Sequence, residues 1–224
     1  MADTVYTAND IEQFKQMCLD HSNWKLIYNK GDHEIYSQKS DSKTAKFKCV
    51  TKQSKQYDPE YVFSSFCDRG YCKTLKGNDI VFDVVRQIDS CNEIIHRVQK
   101  MPMMSPRDFV YKLIRYHNKE NTEFILLTQS IEDESVPVMK DATRGHINVQ
   151  GSYVRKTEEG TILYSYSDIN LKGSVPSALF GETMVKTIAK SMLSTSKSNV
   201  ENYKAYQEKH KDEEKWWLKT LDWM

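Results

Sequence analysis

Between Thr44 and Gln53 apolar and polar side chains take turns. Ala45, Phe47, Cys49 and Thr51 point one way, and Lys46, Lys48, Val50 and Lys52 the other. A period of two marks a half-buried strand. Ahead of it, Trp24–Asn29 and His33–Ser37 flank Lys30-Gly31-Asp32, a hairpin signal. Farther on, Ile80–Ile88, Glu93–Lys100, Asp108–His117 and Glu123–Ile131 read as strands, with Gly77-Asn78 and Asp89-Ser90 as turn pairs. Thr143–Val149, Ser152–Lys156 and Thr161–Leu171 complete the series, the last two joined by Glu158-Glu159-Gly160.

Helical spacing appears at the start, in the middle and at the end. Asn9 is placed to cap a helix carrying Ile11, Phe14, Met17 and Cys18, ending near His21. Asp58-Pro59-Glu60 opens another through Cys67, with proline in the first turn, and a short one covers Tyr71–Lys76. A long helix runs from about Pro176 through Tyr206, with Val185, Ile188, Met192, Val200 and Tyr203 on one broad face. Short links between strands mean an antiparallel sheet, and helices segregated to the ends make the class α+β. No internal repeat or Pro/Gly-rich linker divides the chain. We therefore expect one domain over residues 1–206 and a Lys/Trp-rich extension over residues 207–224.

Composition narrows the function. Of 224 residues, 39% are hydrophobic and 28% charged, a globular balance. Lys+Arg 32 against Asp+Glu 31 removes the global electrostatic argument for nucleic acid. Apolar runs such as Phe124-Ile125-Leu126-Leu127 are strand-sized, far short of a bilayer span, and Asp3, Asn9, Asp10 and Glu12 break any secretory leader. Five scattered cysteines with no CxxC pair read as reduced thiols of a cytosolic protein. No HExxH, GxSxG, P-loop or GxGxxG occurs, and the six histidines are far apart. We expect no catalytic residue, metal or cofactor.

Three segments carry a family resemblance. Asn23-Trp24-Lys25-Leu26, followed by Glu34-Ile35-Tyr36, resembles the opening strands of the START (steroidogenic acute regulatory protein-related lipid transfer) family. Met101-Pro102-Met103-Met104-Ser105-Pro106-Arg107-Asp108-Phe109-Val110-Tyr111 is similar to its central Arg-Asp-Phe/Tyr-Val motif. Asp168-Ile169-Asn170-Leu171-Lys172-Gly173-Ser174-Val175-Pro176 resembles its junction between last strand and lid helix. The likeness covers roughly residues 8–206. It implies a helix-grip fold, a curved antiparallel sheet around a long C-terminal helix, with an internal hydrophobic tunnel for one phospholipid, sterol or similar lipid. It further implies a non-enzymatic carrier: a cytosolic monomer touching membranes transiently and peripherally. The alternatives are a lipid-sensing interaction module and a pocket enzyme on the related Bet v 1-type scaffold. The chain departs from the family where many members carry Arg-x-x-Trp-Asp. Cys72-Lys73-Thr74-Leu75-Lys76 stands there, which argues against a phosphatidylcholine-specific site.

Candidate site residues follow from alternation. Phe109, Tyr111, Leu113 and Arg115 share one face of their strand, and Glu93, Ile95, Arg97 and Gln99 one face of theirs. If those faces line the cavity, Arg97 and Arg115 need an anionic ligand group or a protein partner such as Asp83, Glu93 or Asp108. Tyr153, Tyr164 and Tyr166 offer rings plus hydroxyls to a lipid, and Met192 a flexible apolar contact. Met101, Met103 and Met104, with Val185 and Ile188 on the lid, form the expected gate. Ser191, Ser194, Thr195, Ser196 and Ser198 weaken the lid helix or give it a solvated face. Trp216, Trp217 and Trp223 either anchor the tail at a membrane or pack back onto the domain. Lys39, Lys43, Lys46, Lys48, Lys52 and Lys55 either attract anionic membranes or decorate an exposed strand.

Overall fold

The computed structural model describes residues 5–38, 44–75, 77–101, 103–176 and 182–219, the side chain of Met184 excepted. In chain order the elements are α1 (Ala8–Leu19), β1 (Lys25–Lys30), β2 (His33–Ser37), β3 (Thr44–Lys52), α2 (Pro59–Cys67), α3 (Arg69–Thr74), β4 (Asp79–Gln87), β5 (Asn92–Met101), β6 (Met104–His117), β7 (Glu123–Ser130), β8 (Thr143–Arg144), β9 (His146–Thr157), β10 (Gly160–Asn170) and α4 (Glu182–Lys209). A 3-10 turn over Trp216–Leu218 follows. The expected α+β plan holds.

The strands form one curved, unclosed sheet in the order β1-β2-β3-β10-β9-β7-β6-β5-β4. Every neighbouring pair is antiparallel except β8, which runs parallel to β6 through Arg107 and Asp108. β1 and β4 are the edges. Helix α1 covers the outer face, where Ile11, Phe14 and Cys18 pack with Ile125, Leu127, Tyr153, Tyr164 and Tyr166. Helices α2 and α4 cover part of the inner face. Val62, Phe63 and Cys67 of α2 join Phe124, Val154, Leu163 and Val200, while Val185, Ala189 and Leu193 of α4 join Ile27, Ile35, Phe47 and Cys49.

Local details correct several expectations. The cap of α1 is Thr7, whose hydroxyl accepts from the Asp10 amide while the Asp10 carboxylate takes the Thr7 N–H; Asn9 lies inside the helix. Asp58 caps α2 ahead of Pro59, and Asp68 caps α3, which starts at Arg69, two residues before the expected Tyr71. The break expected between Val149 and Ser152 is absent. β9 passes straight through Gly151 because the Phe14 ring sits where a side chain would be, with Cζ 2.6 Å from an ideal Cβ. The buried stripe of α4 is Val185, Ala189, Leu193, Val200 and Tyr203, so its face is rotated from the expected one, leaving Ile188 half-buried and Met192 exposed. The lid's expected first residues, 177–181, lie outside the described residues.

Candidate functional site

The inner face of β5 and β6 is built as their alternation requires. Ile95 pairs with Tyr111, Arg97 with Phe109 and Glu93 with Leu113. Ile95, Phe109, Tyr111, Leu113 and Ile147 form a buried cluster rimmed by Met101, Leu126, Ile169 and Leu171. On the edge strand, Phe82 lies opposite Arg97 and Val84 opposite Ile95, so both belong to the inner face, yet they are 45% and 38% exposed. Helix α4 packs on β1, β2, β3 and α2 instead. Its Lys186 and Lys190 sit over the Tyr28 ring of β1, at 5.5 and 4.4 Å. At 100° per residue, Ile188 and Met192 therefore lie on the flank turned away from β1, where Met192 is 37% exposed. The inner face between β4 and α4, called the trough below, thus has an apolar floor and open apolar side chains along its β4 edge.

Both expected arginines lie on this face, and both are already paired. Arg97 donates through Nε and Nη2 to the two carboxylate oxygens of Asp79, at 2.7 and 3.1 Å, lies 5.7 Å from the Phe82 ring and reaches the Tyr111 hydroxyl. Arg115, almost fully buried, donates through Nη1 to Glu93 Oε2 at 2.9 Å, and Arg69 of α3 donates to the same oxygen. Burial works to raise the Glu93 carboxyl, but the Arg115 and Arg69 guanidiniums outweigh it and hold the group below the usual carboxylate range. Trp216 lies 4.5 Å from the Arg69 guanidinium and 4.7 Å from that of Arg115. Beneath it, Arg115 Nε and Nη2 and Glu93 Oε1 are buried without a hydrogen-bond partner among the described residues.

The sequence matches the START domain family over residues 4–206. The chain belongs to that family. No curated protein sequence matches it. Among solved structures, human STARD10 superposes with a TM-score of 0.84 at 18% identity, over 96% of this chain and 88% of that one. Human StAR-related lipid transfer protein 5 gives 0.64 at 16% identity, over 85% and 88%. The lipid transfer and protein localization domain of human StarD13 gives 0.62 at 16%, over 89% and 98%. At these identities the likeness shows a shared fold.

Within this START domain the Arg-Asp motif has a mooring role. Arg107 is fully buried; its Nε donates to Leu171 O at 2.7 Å and its Nη1 to Ser105 O at 2.7 Å. Weaker contacts reach Lys172 O and Ser174 O, so one guanidinium holds the segment that leads to the lid. Asp108 faces the outer side, accepting from the Met139 amide at 2.7 Å, with Arg144 Nε at 2.9 Å and His96 Nε2 at 3.3 Å.

Other expectations need correction. Tyr153 and Tyr166 lie on the outer face, buried against α1. Phe14 and Trp24 meet Tyr166 edge-on, and Tyr153 donates to Glu123, so neither lines the trough. Val185 is buried against β1, β2 and β3. In the hairpin joining β5 to β6, Met103 is 71% exposed at φ 60°, while Met101 and Met104 are half-buried. Of the basic run, Lys46 pairs with Asp168, Lys52 with Glu159, and Lys48 is buried beneath α1; Lys39 and Lys43 lie outside the described residues. Trp217 is buried among α2 and α4 side chains, and Trp223 lies outside the described residues. Alternation could not reveal Asp79 or Arg69 as partners, since both depend on how β4 and α3 align with β5. Among the described residues no helix is long and apolar enough to cross a membrane.

Proposed function

We propose that this START domain binds one lipid between the inner sheet face and α4 and carries it between membranes, without catalysis or cofactor. The observation that supports this reading most is the exposed apolar wall of Phe82 and Val84 on the inner face, beside the buried Phe109–Tyr111 floor and across from the exposed flank of α4. Large apolar side chains left open inside a fold favour an apolar ligand. Phe109, Tyr111 and Met192 line the acyl or ring portion. Met101, Met103 and Met104, with Ile188, guard the entrance.

The polar end of the lipid meets Arg97, Asp79 and Tyr111. Because Asp79 already counters Arg97, this cluster offers a donor and an acceptor together, which suits a zwitterionic or hydroxylated head better than a bare anion. The names of the human relatives, two of them lipid transfer proteins or domains, support the carrier class. The test is exchange of fluorescent phospholipid and fluorescent sterol between donor and acceptor vesicles. Acceleration of either by the wild-type chain, reduced by Val84→Glu, is expected. No acceleration with either lipid overturns the carrier reading, and binding without transfer favours a lipid sensor.

A further inference from the structure

The segment after α4 lies beyond the family match, yet it is seated on the inner face. β6 runs from the Met101–Met104 hairpin to His117, so the sheet has a hairpin end and an opposite end. The tail occupies the opposite end. Trp217 sits among Val62, Phe63, Cys67, Phe124, Val154, Leu163 and Val200, and its indole N–H donates to Ser64 Oγ at 2.9 Å. Trp216 spreads over the Arg69 and Arg115 guanidiniums. His117 Nε2 lies 2.9 Å from Leu218 O, and Cys91 Sγ donates to Lys219 O at 2.8 Å.

Two features mark this seating as reversible. A cleft of about 480 Å3 runs along the seam, with His210, Glu213, Lys215 and Trp217 of the tail side facing Asp68 and Tyr203 of the body. The cleft is open to solvent, so water reaches the seam along that side. Under Trp216, Arg115 Nε and Nη2 and Glu93 Oε1 have no partner among the described residues, so the indole covers polar groups that it cannot satisfy. Keeping those three atoms from water offsets part of what the two cation–π contacts contribute, and departure of the tail lets water reach them.

We propose that Trp216–Lys219 is a detachable stopper closing the trough at the end opposite the methionine hairpin. Its departure uncovers Phe124, Val154 and Leu163 together with the Arg69–Glu93–Arg115 cluster, giving the trough a second port. What passes through that port rests on the lipid-carrying reading. The stopper itself is tested without lipid.

Cys91 is buried in the outer-face cluster with its thiol donating to Lys219 O, so its alkylation by iodoacetamide rises when the tail leaves while α1 stays seated. Peptide mass spectrometry of the full chain reads Cys91 against Cys18, a residue of α1 buried in the same outer-face cluster, which reports whether α1 stays seated. Trp216→Ala should raise alkylation of Cys91 by about tenfold and leave Cys18 unchanged, since it removes two cation–π contacts. If Cys18 rises equally, the fold has opened, and Ser64→Ala, which deletes only the hydroxyl under Trp217, takes its place. Rates at Cys91 equal to wild type in both variants overturn the stopper. Lys219→Cys then allows oxidation to Cys91. The oxidised protein should take up fluorescent phosphatidylcholine from phosphatidylcholine/phosphatidylserine vesicles about tenfold more slowly than the reduced one. Equal uptake overturns the second port. No uptake by either form, with Cys91 still released by Trp216→Ala, refutes lipid carrying and leaves the stopper standing.

Discussion

Replacing Arg107 with methionine tests whether the Arg-Asp motif moors the lid. Methionine keeps the apolar stem and removes the guanidinium. Two contacts are short, Nε to Leu171 O and Nη1 to Ser105 O, both at 2.7 Å. A hydrogen bond to a charged group contributes about 1.5–3 kcal/mol. The longer contacts to Lys172 O and Ser174 O, at 3.4 and 3.3 Å, add little. Against this, Ser105, Lys172 and Ser174 are exposed, so their carbonyls can take up water once the guanidinium is gone. The balance is a loss of about 3 kcal/mol, or roughly 6–12 °C in Tm for a chain of this size. Urea unfolding gives the global cost, and amide exchange over residues 171–176 should rise more than exchange in β9. Arg107→Lys should recover less than half the loss, because one ammonium cannot span carbonyls from two segments. A cost below about 1 kcal/mol with unchanged exchange over residues 171–176 refutes the mooring role.

Three further outcomes follow from the same geometry. Gly151→Ala puts a methyl group onto the Leu126 carbonyl oxygen and 2.6 Å from Phe14 Cζ, and should cost about 1–3 kcal/mol in urea unfolding; a neutral substitution would mean that α1 sits more loosely than described. Lys48 is buried against Met17 O and Asp20 O, and burial lowers its ammonium from 10.5 to about 8. Between those values the unfolded chain holds a proton that the folded chain has released, so folding gains as pH rises. The unfolding free energy of wild type minus that of Lys48→Met should therefore climb from about pH 8 to 10, and a flat difference contradicts the shift. Met103→Glu, at an exposed hairpin tip, should leave the urea midpoint unchanged but slow transfer from anionic vesicles; unchanged transfer places the entrance elsewhere.

The inner faces of β5 and β6 were legible because both strands alternate without interruption through Arg97 and Arg115, and the structure keeps that grouping. Alternation sorts a strand into two faces without naming the inner one. Tyr153 and Tyr166 were assigned to the trough for that reason, and the position of α1 decides otherwise. Thr143–Val149 and Ser152–Lys156 read as two strands, whereas β9 continues through Gly151, where the Phe14 ring fills the space beside the backbone. On α4 the small Ala189 lets the helix lie close to β3, which turns Met192 away from the core. The partners Asp79 and Arg69 come from β4 and α3, whose alignment with β5 involves two bulges and a helix packing that no local pattern encodes.

The central claim is that the inner trough holds one lipid. Native mass spectrometry of the full chain, purified from cells without detergent and followed by lipid extraction, tests it most directly. The account predicts a species heavier than the bare chain by the mass of one lipid, lost on mild activation, and reduced in Val84→Glu at unchanged fold. A bare chain that stays bare after incubation with phospholipid and sterol vesicles would contradict it.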